Sequence, residues 1–259
     1  MSLKDRVVIM TGAGRGIGKA AALKFAEAGA SVAAVSRTKA QLDDVVKQIK
    51  AKGGKAMAVA ADISIEAQVK AMVDAVVKQF GRVDVMVNNA AMPGPTKPLW
   101  EIDMKEWEIP IAINLRGSAM CAKYVLPHMM KQKSGVTLNV SSSAGRQGIY
   151  GRTHYCSSKA GLFGLTMALA TEVGKYNIRV NCVVPGAINT ELLIAYHERI
   201  AKERGVSYET VRDEAAKAAP LNKIVTPAEV ADFMVYLASD QSAGITGQNI
   251  NINAGSYML

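Results

Sequence analysis

Tyr155 and Lys159 stand four residues apart in the segment HYCSSKAGL, a spacing that on a helix sets a phenol and an ammonium on one face, within reach of one ligand. A phenol with a pKa of about 10 is a poor base at neutral pH, but a neighbouring cation stabilises its phenolate and makes it a usable acid/base. Ser142, just past the apolar run VTLNV, offers a hydroxyl that can hold or polarise a carbonyl. A hydrolase built on Ser142 and His154 is not expected, because no G-x-S-x-G elbow surrounds the serine.

A second candidate is the stretch VVIMTGAGRGIGKA, residues 7–20. It follows a strand-like run and opens a helix-like one, the context in which free helical N–H groups and side-chain-free backbone receive a phosphate. Gly12, Gly14, Gly16 and Gly18 fit neither the triphosphate loop, since Ala13 and Ala20 occupy required positions, nor the G-x-G-x-x-G fingerprint, whose last position falls on Ile17 or Lys19. Gly12 is expected to make the tight turn, Gly14 and Gly16 to open the backbone to a pyrophosphate, and Gly18 to let helix approach sheet.

These residues need a scaffold, and the hydrophobic pattern supplies one. Apolar runs at RVVIMT, SVAAVS, KAMAVAA, VDVMVNN, GVTLNVS, IRVNCVV and QNININ read as strands covered on both faces. Helix-like connectors lie between them at about Gly16–Ala28, Lys39–Lys52, Glu66–Phe80, Met104–Lys131, Tyr155–Lys175 and Pro227–Ala238. The alternation predicts an α/β protein, a single-domain Rossmann fold over residues 1–259 whose doubly wound parallel sheet has helices on both faces. Asn189 to Leu221 breaks the rhythm as an amphipathic insertion where a substrate lid would sit.

Composition narrows the partners. Among 259 residues, 31 Lys+Arg against 22 Asp+Glu give a charge of +9, which favours anionic ligands. The basic residues are scattered and only 5% of the chain is aromatic, so no nucleic-acid partner is expected. Cys121, Cys156 and Cys182 have neither disulfide nor zinc spacing, and no metal site is predicted. No apolar run reaches membrane-spanning length and no signal-peptide pattern opens the chain, so the expectation is a soluble cytoplasmic protein.

The chain resembles the short-chain dehydrogenases/reductases. Thr11 to Gly18 match their T-G-x-x-x-G-x-G, Asp62 their adenine-side aspartate, and Asn88-Asn89-Ala90-Ala91 their N-N-A-G. Asn114 and Ser142 fall on the family's asparagine and serine, Tyr155 and Lys159 on Y-x-x-x-K, and Pro185-Gly186 with Thr190 on P-G-x-x-x-T, all in family order. The resemblance implies hydride transfer between a nicotinamide and a ketone, aldehyde or secondary alcohol. It gives Tyr155 as acid/base, Ser142 as the group holding the oxygen, Lys159 on the nicotinamide ribose, and Asn114 on a proton-relay water. It extends the cofactor contacts to Gly12, Gly16, Ile17, Gly18, Ile63, Asn89, Pro185, Gly186, Ile188 and Thr190. Ser36 and Arg37 stand where NAD enzymes carry an acid, and Arg37 with Arg15 suits a ribose 2′-phosphate, so NADP(H) is expected, with NAD(H) as the alternative.

Ala91 departs from the family's last N-N-A-G glycine, and NAGSYML lacks the paired glycines of many relatives' tails. Arg146, Arg152 and His154 border the expected pocket; they read either as contacts to an anionic substrate group or as ordinary solvated side chains, as do His197, Arg199 and Arg204 in the insertion. Competing functions are a 3-oxoacyl-[acyl-carrier-protein] reductase, an NAD-dependent alcohol or polyol dehydrogenase, and a non-catalytic nucleotide sensor. The resemblance also implies a homotetramer or homodimer.

Overall fold

Strand β1 (Val7–Thr11) is buried along its whole length, and its side chains alternate between two cores. Val8 and Met10 pack in a cluster with Phe25, Leu42, Val45 and Met234, while Val7 and Ile9 pack with Met72, Val76, Val125 and Met129. A strand apolar on both faces needs cover on both, which is why the intervening segments fold as helices above and below it.

The computed structural model describes residues 1–258. β1 is followed by β2 (Ser31–Ser36), β3 (Ala56–Ala60), β4 (Val85–Asn88), β5 (Gly135–Val140), β6 (Ile178–Pro185) and β7 (Asn249–Ile252). They form one sheet in the order β3-β2-β1-β4-β5-β6-β7, every neighbouring pair parallel. All seven predicted strands are present, and the fold is the doubly wound Rossmann arrangement expected from their pattern. Helices α1 (Gly16–Glu27) and α2 (Lys39–Ala51) supply residues to the first core, and α3 (Glu66–Phe80) to the second. After β3 the chain passes back to the far side of β1 to lay down β4, so connections leave the carboxyl ends of β1 and β4 in opposite directions and open a crevice between them.

The segment expected as one helix from Met104 to Lys131 is wound in three parts: α4 (Met104–Pro110), a π-helical stretch (Ile111–Arg116) and α5 (Gly117–Gln132). Pro110 has no N–H for the helical ladder, and the wider i→i+5 winding starts at the next residue. Asn114 sits inside that winding. Helix α6 (Thr153–Val173) follows β5, and the 189–221 segment holds α7 (Glu191–Arg204) and α8 (Tyr208–Lys217). α9 (Pro227–Ala238) starts on a capping box between Thr226 and Glu229.

Candidate active site

At the crevice, Gly12 leaves β1 with φ +67, and its carbonyl and that of Thr11 accept hydrogen bonds from Asn89 Nδ2 at 3.4 and 2.9 Å. Thr11 Oγ1 donates to Val87 O at 3.0 Å and accepts from the amides of Asn89 and Ala90. The end of β4 thus fastens the glycine turn. Gly18 packs its backbone against that turn: a Cβ there would lie 2.7 Å from the Gly12 carbonyl carbon. The tight approach expected between helix and sheet is in fact between helix and turn. Gly16 also has a left-handed backbone, φ +54, so it contributes to the turn as well as to its openness. Arg15, extended at the start of α1, makes no side-chain cap, so the first helical N–H groups have no side-chain partner from it.

Most of the predicted cofactor residues line two cavities that share Ala91, while Gly16 and Gly18 line neither. One, about 270 Å³, is lined by Gly12, Arg15, Ser36, Arg37, Asp62 and Ile63, with Thr38 and Gln41 from the start of α2. Ser36 Oγ accepts from Thr38 N at 3.2 Å, which orders the end of β2. Asp62 accepts from the Ser64 amide and hydroxyl at 2.9 and 2.6 Å. Burial alone would raise its pKa; the Ser64 bonds and the Arg37 charge outweigh it and hold the carboxyl below its ordinary value. Arg37 is 60% exposed and only loosely paired, 3.8 Å from Asp62, and Arg15 makes no ion pair among the described residues. One unpaired and one loosely paired guanidinium are therefore within reach of an anion in this cavity.

The other cavity, about 540 Å³, is lined by Ile17, Asn89, Pro185, Gly186, Ile188 and Thr190 on the cofactor side and contains Ser142, Tyr155 and Lys159. Ser142 lies just beyond β5, where its Oγ accepts from Ala144 N at 3.2 Å. Tyr155 and Lys159 project from the first turns of α6, with the Lys159 Nζ 5.7 Å from the Tyr155 ring centre. Lys159 is buried and donates to Val140 O at 2.7 Å; burial lowers its pKa to about 8. Burial raises the Tyr155 phenol, and the Ser142 hydroxyl and Arg152 charge only partly offset it. Lys159 Nζ is turned to the Val140 carbonyl and does not by itself bring the phenol down; the oxidised nicotinamide expected to act with it on the phenolate is not among the chain's own groups.

Asn114 is fully buried and lines neither cavity. Its Oδ1 accepts from Met92 N at 2.8 Å, and its Nδ2 donates to Met92 O at 3.1 Å and to Ser158 Oγ at 2.9 Å. The side chain joins the loop after β4 to α6 beside Tyr155.

The three basic residues expected near the substrate separate. Arg152 lines the cavity. Arg146 does not: its Nη2 donates to Asn249 O at 2.7 Å and its guanidinium lies over Phe163, because the turn after β5 directs it toward β7. His154 does not either, being wholly buried beneath the loop at Gly94. In the insertion, His197 is buried near the Tyr196 and Tyr208 rings, Arg199 pairs with Glu203, and Arg204 with Glu214. What the search for reactive groups passed over is the apolar wall: Pro93, Ile149, Leu192, Leu193 and Tyr196. The signal for it was the amphipathic spacing of Leu192, Leu193 and Tyr196. Among the described residues there is no cluster of potential metal ligands, and no helix is long and apolar enough to cross a membrane.

The switch-point crevice and its glycine turn place the chain among the dinucleotide-binding α/β proteins. A family model described as enoyl-(acyl carrier protein) reductase matches residues 12–257. The chain is 40% identical to the 3-oxoacyl-[acyl-carrier-protein] reductase FabG of Thermotoga maritima, over 98% of this chain and 99% of that one. It is 34% identical to the short-chain reductase protein NovJ of Streptomyces niveus, over 97% and 94%. Among solved structures it superposes on a variant of the actinorhodin polyketide ketoreductase with NADPH at a TM-score of 0.92, with 32% identity and 99% of both chains covered. Levodione reductase gives 0.91, 32% and 97% of both. The chain belongs to the short-chain dehydrogenase/reductase family, nicotinamide-dependent oxidoreductases that act on CH–OH groups.

Proposed function

We propose that the protein is an NADP(H)-dependent carbonyl reductase working mainly in the direction of reduction. The observation that carries this reading is the convergence of Ser142, Tyr155 and Lys159 on one cavity that adjoins the glycine turn. Because burial raises the Tyr155 phenol, it is fully protonated at neutral pH and ready to give a proton. Ser142 would hold the substrate oxygen, and Asn114 keeps α6 in register with the opposite wall. A bound nicotinamide supplies the hydride. The residues fit such a group: Gly12 and Gly14 line the cavity with no side chain, α1 begins uncapped, and Arg15 and Arg37 line the same cavity without strong partners. Those two guanidiniums support NADP(H) over NAD(H), as charge-assisted partners of a 2′-phosphate.

The relatives favour a narrower reading, reduction of 3-oxoacyl thioesters, and the mostly apolar cavity wall suits an acyl chain. The helices α7 and α8 would act as its lid. Initial rates with NADPH and NADH on a panel of 3-oxoacyl thioesters, cyclic diketones and simple ketones test both levels. Tyr155→Phe should abolish turnover and leave the cofactor Kd within about twofold; a clear preference for NADH would overturn the cofactor assignment.

A further inference from the structure

The loop between β4 and α4 forms one wall of the catalytic cavity through Pro93, and it is held by residues at the entrance to α6, just before Tyr155. Arg152 Nη1 donates to Pro93 O at 3.1 Å and to Gly94 O at 3.3 Å, and the amide of Lys97 donates to Gly151 O at 3.1 Å. Gly94 has φ +68, and the space a side chain would take there is filled by the His154 imidazole: a Cβ would lie 2.6 Å from His154 Cδ2 and 2.9 Å from Pro110 Cγ.

His154 is 0% exposed, and neither ring nitrogen has a well-formed hydrogen bond. Burial and, less strongly, the Arg152 charge lower its pKa, against the opposite pull of the Pro93 and Pro95 backbone. The ring therefore meets the loop twice, against the Pro93 and Pro95 backbone and in the notch at Gly94. The N-cap and first turn of α6 thus carry a cation that grips two loop carbonyls, a ring that fills the loop's notch, and the phenol that lines the cavity.

Resting on the reading of this cavity as a ketone site, we propose that Arg152 and His154 are specificity-determining positioning residues that clamp the Pro93–Lys97 loop to α6. The clamp sets the distance between the Pro93 wall and the Tyr155 hydroxyl, and so the size of group admitted beside the carbonyl. Wall and proton donor move together because they are fixed to the same helical turn.

Amide exchange and kinetics test this on the intact protein. His154→Ala and Arg152→Ala should each speed exchange at Gly94, Thr96 and Lys97 about tenfold or more, while Arg152→Lys, which keeps a charged donor, stays near wild type. With NADPH present, both alanine variants should shift the ratio of kcat/KM for a cyclic diketone over a short 3-oxoacyl thioester about tenfold toward the larger ketone, chiefly through KM, with the NADPH Kd within about twofold. If His154→Ala fails to fold, the Arg152→Ala and Arg152→Lys pair carries the test. Unchanged exchange would overturn the clamp; faster exchange with an unchanged ratio would overturn its role in selection. A wild type that reduces no ketone would instead defeat the functional reading, and the exchange data would still decide whether the clamp exists.

Discussion

Replacing Lys159 by methionine should make the protein more stable at neutral pH while abolishing its chemistry. Lys159 is 2% exposed, its ammonium donates its one hydrogen bond to Val140 O, and no ion pair reaches it among the described residues. Burial lowers its pKa from 10.5 to about 8, a gap that corresponds to about 3 kcal/mol against the charged form at about 1.4 kcal/mol per pH unit. Methionine fills a similar volume without charge and forfeits the bond to Val140, about 1 kcal/mol, which leaves a net gain of about 2 kcal/mol at pH 7. Below pH 8 the folded and unfolded chains both hold the proton, so the penalty is constant. Between pH 8 and 10.5 the unfolded chain binds more protons than the folded one, and the stability contributed by this group rises with pH. The advantage of Lys159→Met should therefore shrink above pH 8, vanish near about pH 9.5 and reverse beyond it. Urea unfolding of both proteins at matched concentration and several pH values reads the difference directly. A methionine variant less stable than wild type at pH 7, or a difference that does not change between pH 7 and 10, would refute the argument.

Three further outcomes follow from the same geometry. Arg37→Ala and Arg15→Ala should each lower kcat/KM with NADPH by about 10- to 100-fold, the worth of one charge-assisted bond, and change the NADH value by less than about threefold; initial rates with both cofactors show it. Gly18→Ala should weaken cofactor binding more than about tenfold and cost about 2 kcal/mol or more, because its methyl meets the Gly12 backbone, whereas Gly53→Ala, with nothing within 4 Å of its added methyl, costs only the strain of a positive φ. Arg146→Ala should lower the unfolding midpoint by freeing Asn249 O and uncovering Phe163, yet leave substrate KM unchanged.

The sheet was legible because parallel strands must be apolar on both faces, a pattern that needs no knowledge of partners. Tyr155 and Lys159 were legible because helical spacing alone puts them on one side. The π winding was not, since it depends on which acceptor each amide finds after Pro110, and composition does not encode that choice. Arg146, Arg152 and His154 lie within nine residues of one another, yet the chain sends them to β7, to the cavity and beneath the loop at Gly94. Proximity in sequence to a reactive residue says little about direction once the backbone turns between them. The cavity wall escaped for a different reason: Pro93, Ile149 and Leu192 have no reactive atoms, and only the fold gives them a common surface.

Charge is distributed along the crevice in a way that separates capture from chemistry. Arg15 and Arg37, exposed or weakly paired, line the cavity beside the glycine turn, where guanidinium groups can attract an anion through water with little prior cost. Tyr155 and Lys159 sit where burial disfavours ionisation, so the phenol stays protonated while the ammonium lies near its titration point. In ordinary solution the two groups would lose their protons at nearly the same pH; here Lys159 moves down and Tyr155 up, which reverses their order. On the proposed reading, a proton given up by the phenol during reduction would be replaced by way of Lys159, which releases its own at about pH 8. The same burial that destabilises Lys159 in the folded chain makes that replacement easy, so the predicted stability gain of Lys159→Met and its loss of turnover have one physical origin.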